Sequence, residues 1–210
     1  MDNPQQYINE LLKQDKHYKL NIDGVSNWNN HLILLYLALE LTAYDERNLP
    51  VMELGCGDGS TRQLKTFCLA NKRPFKSYDS NKEWAEKYDS KHIVDWQTSD
   101  VYDDNFSVVL VDEAPGENRW LSIQRLANKA DIIVIHDSEP AATGYMLDKI
   151  WHLFKYKLDY RTEGAWATAV SNTIDLNRFD NCKIGEFLLQ ARINERHIKH
   201  TTPQKRNVPR

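Results

Sequence analysis

The chain has 210 residues, a formal net charge of −3, 41% hydrophobic and 27% charged residues. That is enough for one domain with a full core, fits an ordinary globular protein, and argues against a polyanionic partner for its body. The three cysteines (Cys56, Cys68 and Cys182) lack metal-ligand spacing and are odd in number, which argues against a disulfide framework and points to a reducing, cytoplasmic setting.

The N-terminus is polar and lacks the basic-then-apolar order of a signal peptide. Asn3 before Pro4 marks a helix start, with Tyr7, Ile8, Leu11 and Leu12 as its apolar face. Ser26 is placed to cap a second helix reaching about Thr42. Its greasy run, residues 32–39, is too short to cross a bilayer, so no membrane partner is expected. The helix is apolar nearly all round, which predicts cover on two sides or a share in a homodimer interface. Trp28, Asn29, Asn30 and His31 open it, placed either to close over a ligand or simply to start an amphipathic helix.

From residue 50 strands and helices alternate. Residues 50–54 (PVMEL) read as a strand, followed by a helix with Leu64, Phe67 and Cys68 on one face. Residues 74–79 (PFKSYD) read as a second strand, then a short helix pairs Trp84 with Tyr88. A weak strand near residues 92–96 follows. Residues 106–112 (FSVVLVD) and 131–137 (DIIVIHD) are continuous β-branched runs, expected as central strands buried on both faces. A helix from about Glu117 to Lys129 joins them. After them come a helix through Met146, Ile150 and Leu153 and a hairpin whose turn is Thr162-Glu163-Gly164. Trp166 on that hairpin is expected in the core. A last helix carries Ile184, Phe187, Leu188 and Ala191.

This order predicts an α/β fold, a Rossmann-like three-layer αβα sandwich. Its sheet has seven strands, mostly parallel, with one antiparallel strand from the C-terminal hairpin. The expected organisation is a single domain: N-terminal helices over 1–48, a core over 49–178, and a C-terminal helix with a basic tail over 179–210. That tail holds five cationic and no acidic residues from Arg196 onward, a solvated tail or a route to nucleic acid.

Gly55, Gly57 and Gly59 stand on alternate positions between a strand and a helix, two residues after Glu53. Bare backbone and free N–H groups at a helix start suit close approach of a nucleotide-type ligand; a glycine-rich turn without ligand is the plainer reading. The Glu-x-Gly-x-Gly-x-Gly pattern resembles the first motif of class I S-adenosylmethionine-dependent methyltransferases, and the element order extends that resemblance over residues 50 to about 175. The resemblance implies that Gly55, Cys56, Gly57 and Gly59 line the methionine part of S-adenosylmethionine, with Glu53 bracing the loop. It places Asp79 and Ser80 at the ribose and Asp100 at the adenine. A carboxylate offers two acceptors to two hydroxyls, but Asp79 or Ser80 could equally cap the following helix.

Two central strands end in charge, Asp112-Glu113 and His136-Asp137. Charges at the end of apolar strands are paired or functional. The arrangement resembles metal-dependent O-methyltransferases, which implies Asp112 and Asp137 as ligands of a divalent ion such as Mg2+, and Asp112, His136 and Asp137 as catalytic groups. His136 departs from that pattern, since imidazole suits magnesium poorly, and strand alternation points it away from Asp137. It could act instead as a metal-free base. Glu139 is a reserve ligand, and Arg119 a residue covering its helix. Asp112-Glu113-Ala114-Pro115 lacks the motif of the amino methyltransferases.

The resulting expectation is an O-methyltransferase for a small-molecule or sugar-like acceptor. The alternatives are an RNA or protein methyltransferase using the basic tail and a non-catalytic cofactor-binding module.

Overall fold

The computed structural model describes residues 31–43, 45–140, 143–161 and 166–177. The expected helices around residues 3–12 and 184–191, the segment 26–30 and the basic tail lie outside the described residues.

The strands are β1 Val51–Leu54, β2 Phe75–Asp79, β3 Lys91–His92, β4 Phe106–Val111, β5 Ala130–His136, β6 Tyr156–Arg161 and β7 Trp166–Ser171. They form one sheet in the order β3-β2-β1-β4-β5-β7-β6. Every pair from β3 to β5 is parallel, and β7 runs antiparallel to both β5 and β6. The helices are α1 His31–Leu41, α2 Thr61–Ala70, α3 Lys82–Lys87 and α4 Arg119–Leu126. This is the Rossmann-like fold, with its single antiparallel strand, that the resemblance implies.

Side-chain alternation along the central strands separates two cores. Val51, Val108, Leu110, Ile132 and Val134 face α1 and α2, with Leu64 and Phe67 packed against them. Met52, Leu54, Val109, Val111, Ile133 and Ile135 face α4, meeting Ile123 and Leu126. All residues of β4 and β5 are buried, because both faces of these strands are covered. Residues 31–40 of α1 are all buried within the chain, so its apolar surface is not a free interface.

Three details depart from expectation. Residues 143–153 form three short 3-10 turns, not an α-helix: Thr143–Tyr145, Leu147–Lys149 and Trp151–Leu153. Met146 sits between two of them at φ 52, a left-handed conformation that interrupts any helix. Trp166 is half-buried under the Arg161 guanidinium (4.2 Å), at the start of β7 rather than in the core. The helix α3 is capped by Asn81, whose side chain accepts from Trp84 N, and not by Asp79 or Ser80.

The strand order fixes where a ligand belongs. The chain moves outward from β1 to β3 and then returns to the other side of β1 with β4. In open parallel sheets such a reversal leaves a crevice beyond the strand C-termini. The ends of β1 and β4 border it.

Candidate active site

Leaving β1, the chain turns at Gly55, with φ +89. A Cβ there would overlap the Asp112 carbonyl and come within 2.8 Å of Glu113 N. Gly55 is therefore required by the packing of the β1 turn against the end of β4. At Gly57 an added Cβ meets nothing within 4 Å, so this glycine leaves open space on the rim.

Glu53 is wholly buried, on the α1–α2 face. Oε2 accepts from Thr61 Oγ1 (2.8 Å) and Ser77 Oγ (2.9 Å), and Oε1 accepts from Ser60 Oγ. Burial pushes its carboxyl up to about 7 against the pull of these hydroxyls. Glu53 thus ties β1 and β2 to the first turn of α2. Asp79, also buried, holds the loop from the other side: Oδ2 accepts from Cys56 N (2.9 Å) and Oδ1 from Asn81 N (2.8 Å). Gly57 N donates to Thr61 Oγ1 (2.7 Å). Among the described residues, no acceptor meets the amides of Asp58, Gly59 and Ser60, which precede α2. Trp84 Nε1 donates to the Cys56 carbonyl, and Ser80 Oγ donates to the Ala114 carbonyl (2.6 Å), closing β2 onto the segment after β4. Asp100 is exposed in the loop before β4, near Lys76 and Tyr78.

At the neighbouring strand ends, Asp112 and His136 continue the face of Leu110 and Val134. They point to the α1 side and meet: His136 Nδ1 lies 3.1 Å from Asp112 Oδ1. Strand alternation would send Asp137 to the opposite face. Its φ of 51 turns it back, and Asp137 Oδ2 stands 3.2 Å from the same His136 nitrogen. The expected separation of His136 from Asp137 is thus overturned by one left-handed residue.

His136 is buried, which favours its neutral form, but hydrogen bonds to two carboxylates outweigh burial and raise it to about 9. Asp112 and Asp137 are held below the usual carboxylate range because His136 and Arg119 overcome their partial burial. Both carboxylates keep 29% of their side-chain surface exposed, so they form the solvent-facing edge of the cluster. His136 Nε2 is buried without a partner, and its ring meets His31 of α1 edge-on at 4.5 Å. His31 has neither nitrogen paired; burial and His136 lower it to about 3, so it is neutral.

Arg119, expected only to cover its helix, has a role that sequence reasoning missed. It opens α4, reached from Asp112 through the Pro115-Gly116 turn, and its side chain returns to the strand ends. Nη2 donates to Asp112 Oδ1 (2.8 Å), Nη1 to the His136 carbonyl (2.9 Å) and Nε to the Glu113 carbonyl (3.1 Å). Nη1 also stands 3.5 Å from Asp137 Oδ2, and Tyr145 packs 4.4 Å from the guanidinium. A signal existed: a cation at a helix N-terminus opposes the macrodipole and needs another partner.

Glu113 points to the α4 face and takes no part in the cluster. Both its oxygens are buried without a hydrogen-bond partner, and burial pushes it up to about 7 despite Ser122 and Arg119 nearby. Glu139 is engaged elsewhere, accepting from Trp166 N (3.0 Å). The donor atoms of Asp112, His136 and Asp137 lie within 4.8 Å of one another, the only such group among the described residues. As arranged they do not fit the expected divalent ion, because the Arg119 guanidinium already stands against both carboxylates.

No protein-family model matches the sequence, and no curated protein matches it. Several solved structures resemble the chain in fold. Cofactor-bound Rv0187 from MTB is 16% identical over 82% of this chain and 92% of its own, with a TM-score of 0.48. The ribosomal protein L11 methylase from Lactobacillus delbrueckii subsp. bulgaricus is 15% identical over 72% and 82%, at 0.46. A T. thermophilus 16S rRNA methyltransferase in complex with AdoMet and guanosine is 10% identical over 73% of this chain and 41% of its own, at 0.41.

Proposed function

We propose that the protein is an S-adenosylmethionine-dependent methyltransferase acting on a hydroxyl oxygen of a small-molecule acceptor. The observation that carries this reading is a juxtaposition at one strand reversal. A braced glycine turn with open space at Gly57 lies beside an imidazole held by two partly exposed carboxylates.

The residues fit the cofactor. Asp58, Gly59 and Ser60 offer free amides at the start of a ten-residue helix, suited to the carboxylate of an amino-acid moiety. Asp79 Oδ1 accepts one backbone N–H, from Asn81, and retains a lone pair for a ribose hydroxyl, while Oδ2 accepts from both the amide and the thiol of Cys56. In this reading Cys56 and Ser80 contribute position more than contact, and Asp100 borders the adenine. Bound there, S-adenosylmethionine supplies a methyl group on a sulfonium, an electrophile that needs only an in-line nucleophile.

The chain supplies orientation and a place for the proton. Asp112 Oδ1 is engaged by His136 and Arg119, while the rest of its carboxylate faces the rim. The acceptor hydroxyl donates to Asp112, and its proton is held in the Asp112–His136–Asp137 cluster as the C–O bond forms and the C–S bond breaks. His136 takes the proton only when neutral, so turnover rises with pH through about 9.

Calorimetric titration with S-adenosylmethionine, followed by detection of S-adenosylhomocysteine with phenolic and sugar-hydroxyl acceptors, tests the proposal. Binding and acceptor-dependent product are expected. Absence of binding by the wild-type protein removes the cofactor and the reaction together.

A further inference from the structure

The carboxylates at the ends of β4 and β5 stand where a divalent ion is expected, yet the site holds a cation of its own. The Arg119 side chain is only 6% exposed. Three hydrogen bonds fix its plane, two of them to the carbonyls of Glu113 and His136 at the ends of both central strands. Tyr145 backs the guanidinium. It cannot swing away without leaving those carbonyls unpaired and burying an unpaired charge.

Charge balance leads to the same conclusion. Asp112 and Asp137 carry two negative charges, and the buried Arg119 guanidinium beside them already carries one positive charge. A divalent ion between the carboxylates would stand within a few ångströms of a buried guanidinium and leave the cluster with net positive charge. His136 also presents to the carboxylates the nitrogen that it uses in hydrogen bonds to both, and its other nitrogen is buried without a partner.

We infer that Arg119 is a positioning residue that takes the place of a divalent ion, holding Asp112 and Asp137 at the rim, and that the site is metal-independent. The consequence for methyl transfer rests on the function proposed above; the occupancy of the carboxylates does not.

Mn2+ is the probe, because its free and bound forms differ in electron paramagnetic resonance. The wild-type chain is expected to leave millimolar Mn2+ free. Arg119→Met should acquire one site per chain, at least tenfold tighter than any uptake by wild type, and Asp112→Asn in that background should abolish it. Arg119→Lys, which keeps a cation, should stay without a site, and this variant with wild type decides the matter if Arg119→Met does not fold. Uptake of one Mn2+ by the wild-type chain, lost in Asp112→Asn, would overturn the inference, as would uptake by Arg119→Lys. S-adenosylmethionine titration of the same wild-type sample reads the cofactor separately, so failure of the proposed function leaves the Mn2+ result standing.

Discussion

The end of β1 and the ends of β4 and β5 lie side by side on one rim and are built by opposite means. At β1 a buried carboxyl is surrounded by three hydroxyls, and the turn above it has open space at Gly57. At β4 and β5 two carboxylates, an imidazole and a guanidinium form a charged lattice. The first is suited to receive a ligand through amides and shape, the second to hold a proton and orient an acceptor. Backbone contacts join them: the Asp112 amide donates to the Leu54 carbonyl (2.8 Å), and the Gly55 turn lies directly against the Asp112 carbonyl.

Breaking that joint should have the largest effect. Gly55→Ala combines a positive φ with overlap of backbone atoms and is expected to cost about 3 kcal/mol or more, read by denaturant unfolding. Gly57→Ala, two residues on, should stay within about 0.5 kcal/mol of wild type. Equal losses at the two glycines would remove the distinction between a structural and an open position.

Next in size is the charged end. Asp112→Asn or His136→Gln should lower turnover by about 10²- to 10⁴-fold while S-adenosylmethionine affinity stays near wild type. A parallel fall in affinity would mean that the two ends are not separable. In the His136 variant the rise of rate through about pH 9 should vanish.

Glu113 gives a smaller and purely structural test. Its folded pKa of about 7 lies above the unfolded value of 4.5. The stability this proton confers is complete below pH 4.5 and lost as pH rises through 7. Glu113→Met removes the loss, so at pH 8 the variant should be more stable than wild type by roughly 1–3 kcal/mol. The gap should close toward pH 5 in thermal unfolding.

The two ends also differed in how far the sequence disclosed them. β4 and β5 were legible because their long β-branched runs point to strands buried on both faces, and β1 from a short apolar run ending at the glycine loop. The glycine loop was legible from its spacing, although the reason for Gly55 turned out to be the Asp112 carbonyl, a contact across the sheet. The charged end was half hidden. Asp112 and His136 share a face by alternation, but Asp137 joins them only through a left-handed turn that no periodicity announces. Arg119 is seven residues from Asp112 in sequence, and its role follows from a helix start folding back over two strand ends. The helix expected through Met146 had the right apolar spacing and failed at a single positive φ, again a backbone property that spacing does not encode.

The claim tested most directly is that the open space at Gly57 admits S-adenosylmethionine. Calorimetric titration of wild type beside Gly57→Val decides it. A saturable one-to-one isotherm for wild type, weakened at least tenfold in a variant that stays folded, is the predicted result. Equal affinities in the two proteins, or no heat from wild type, would contradict it.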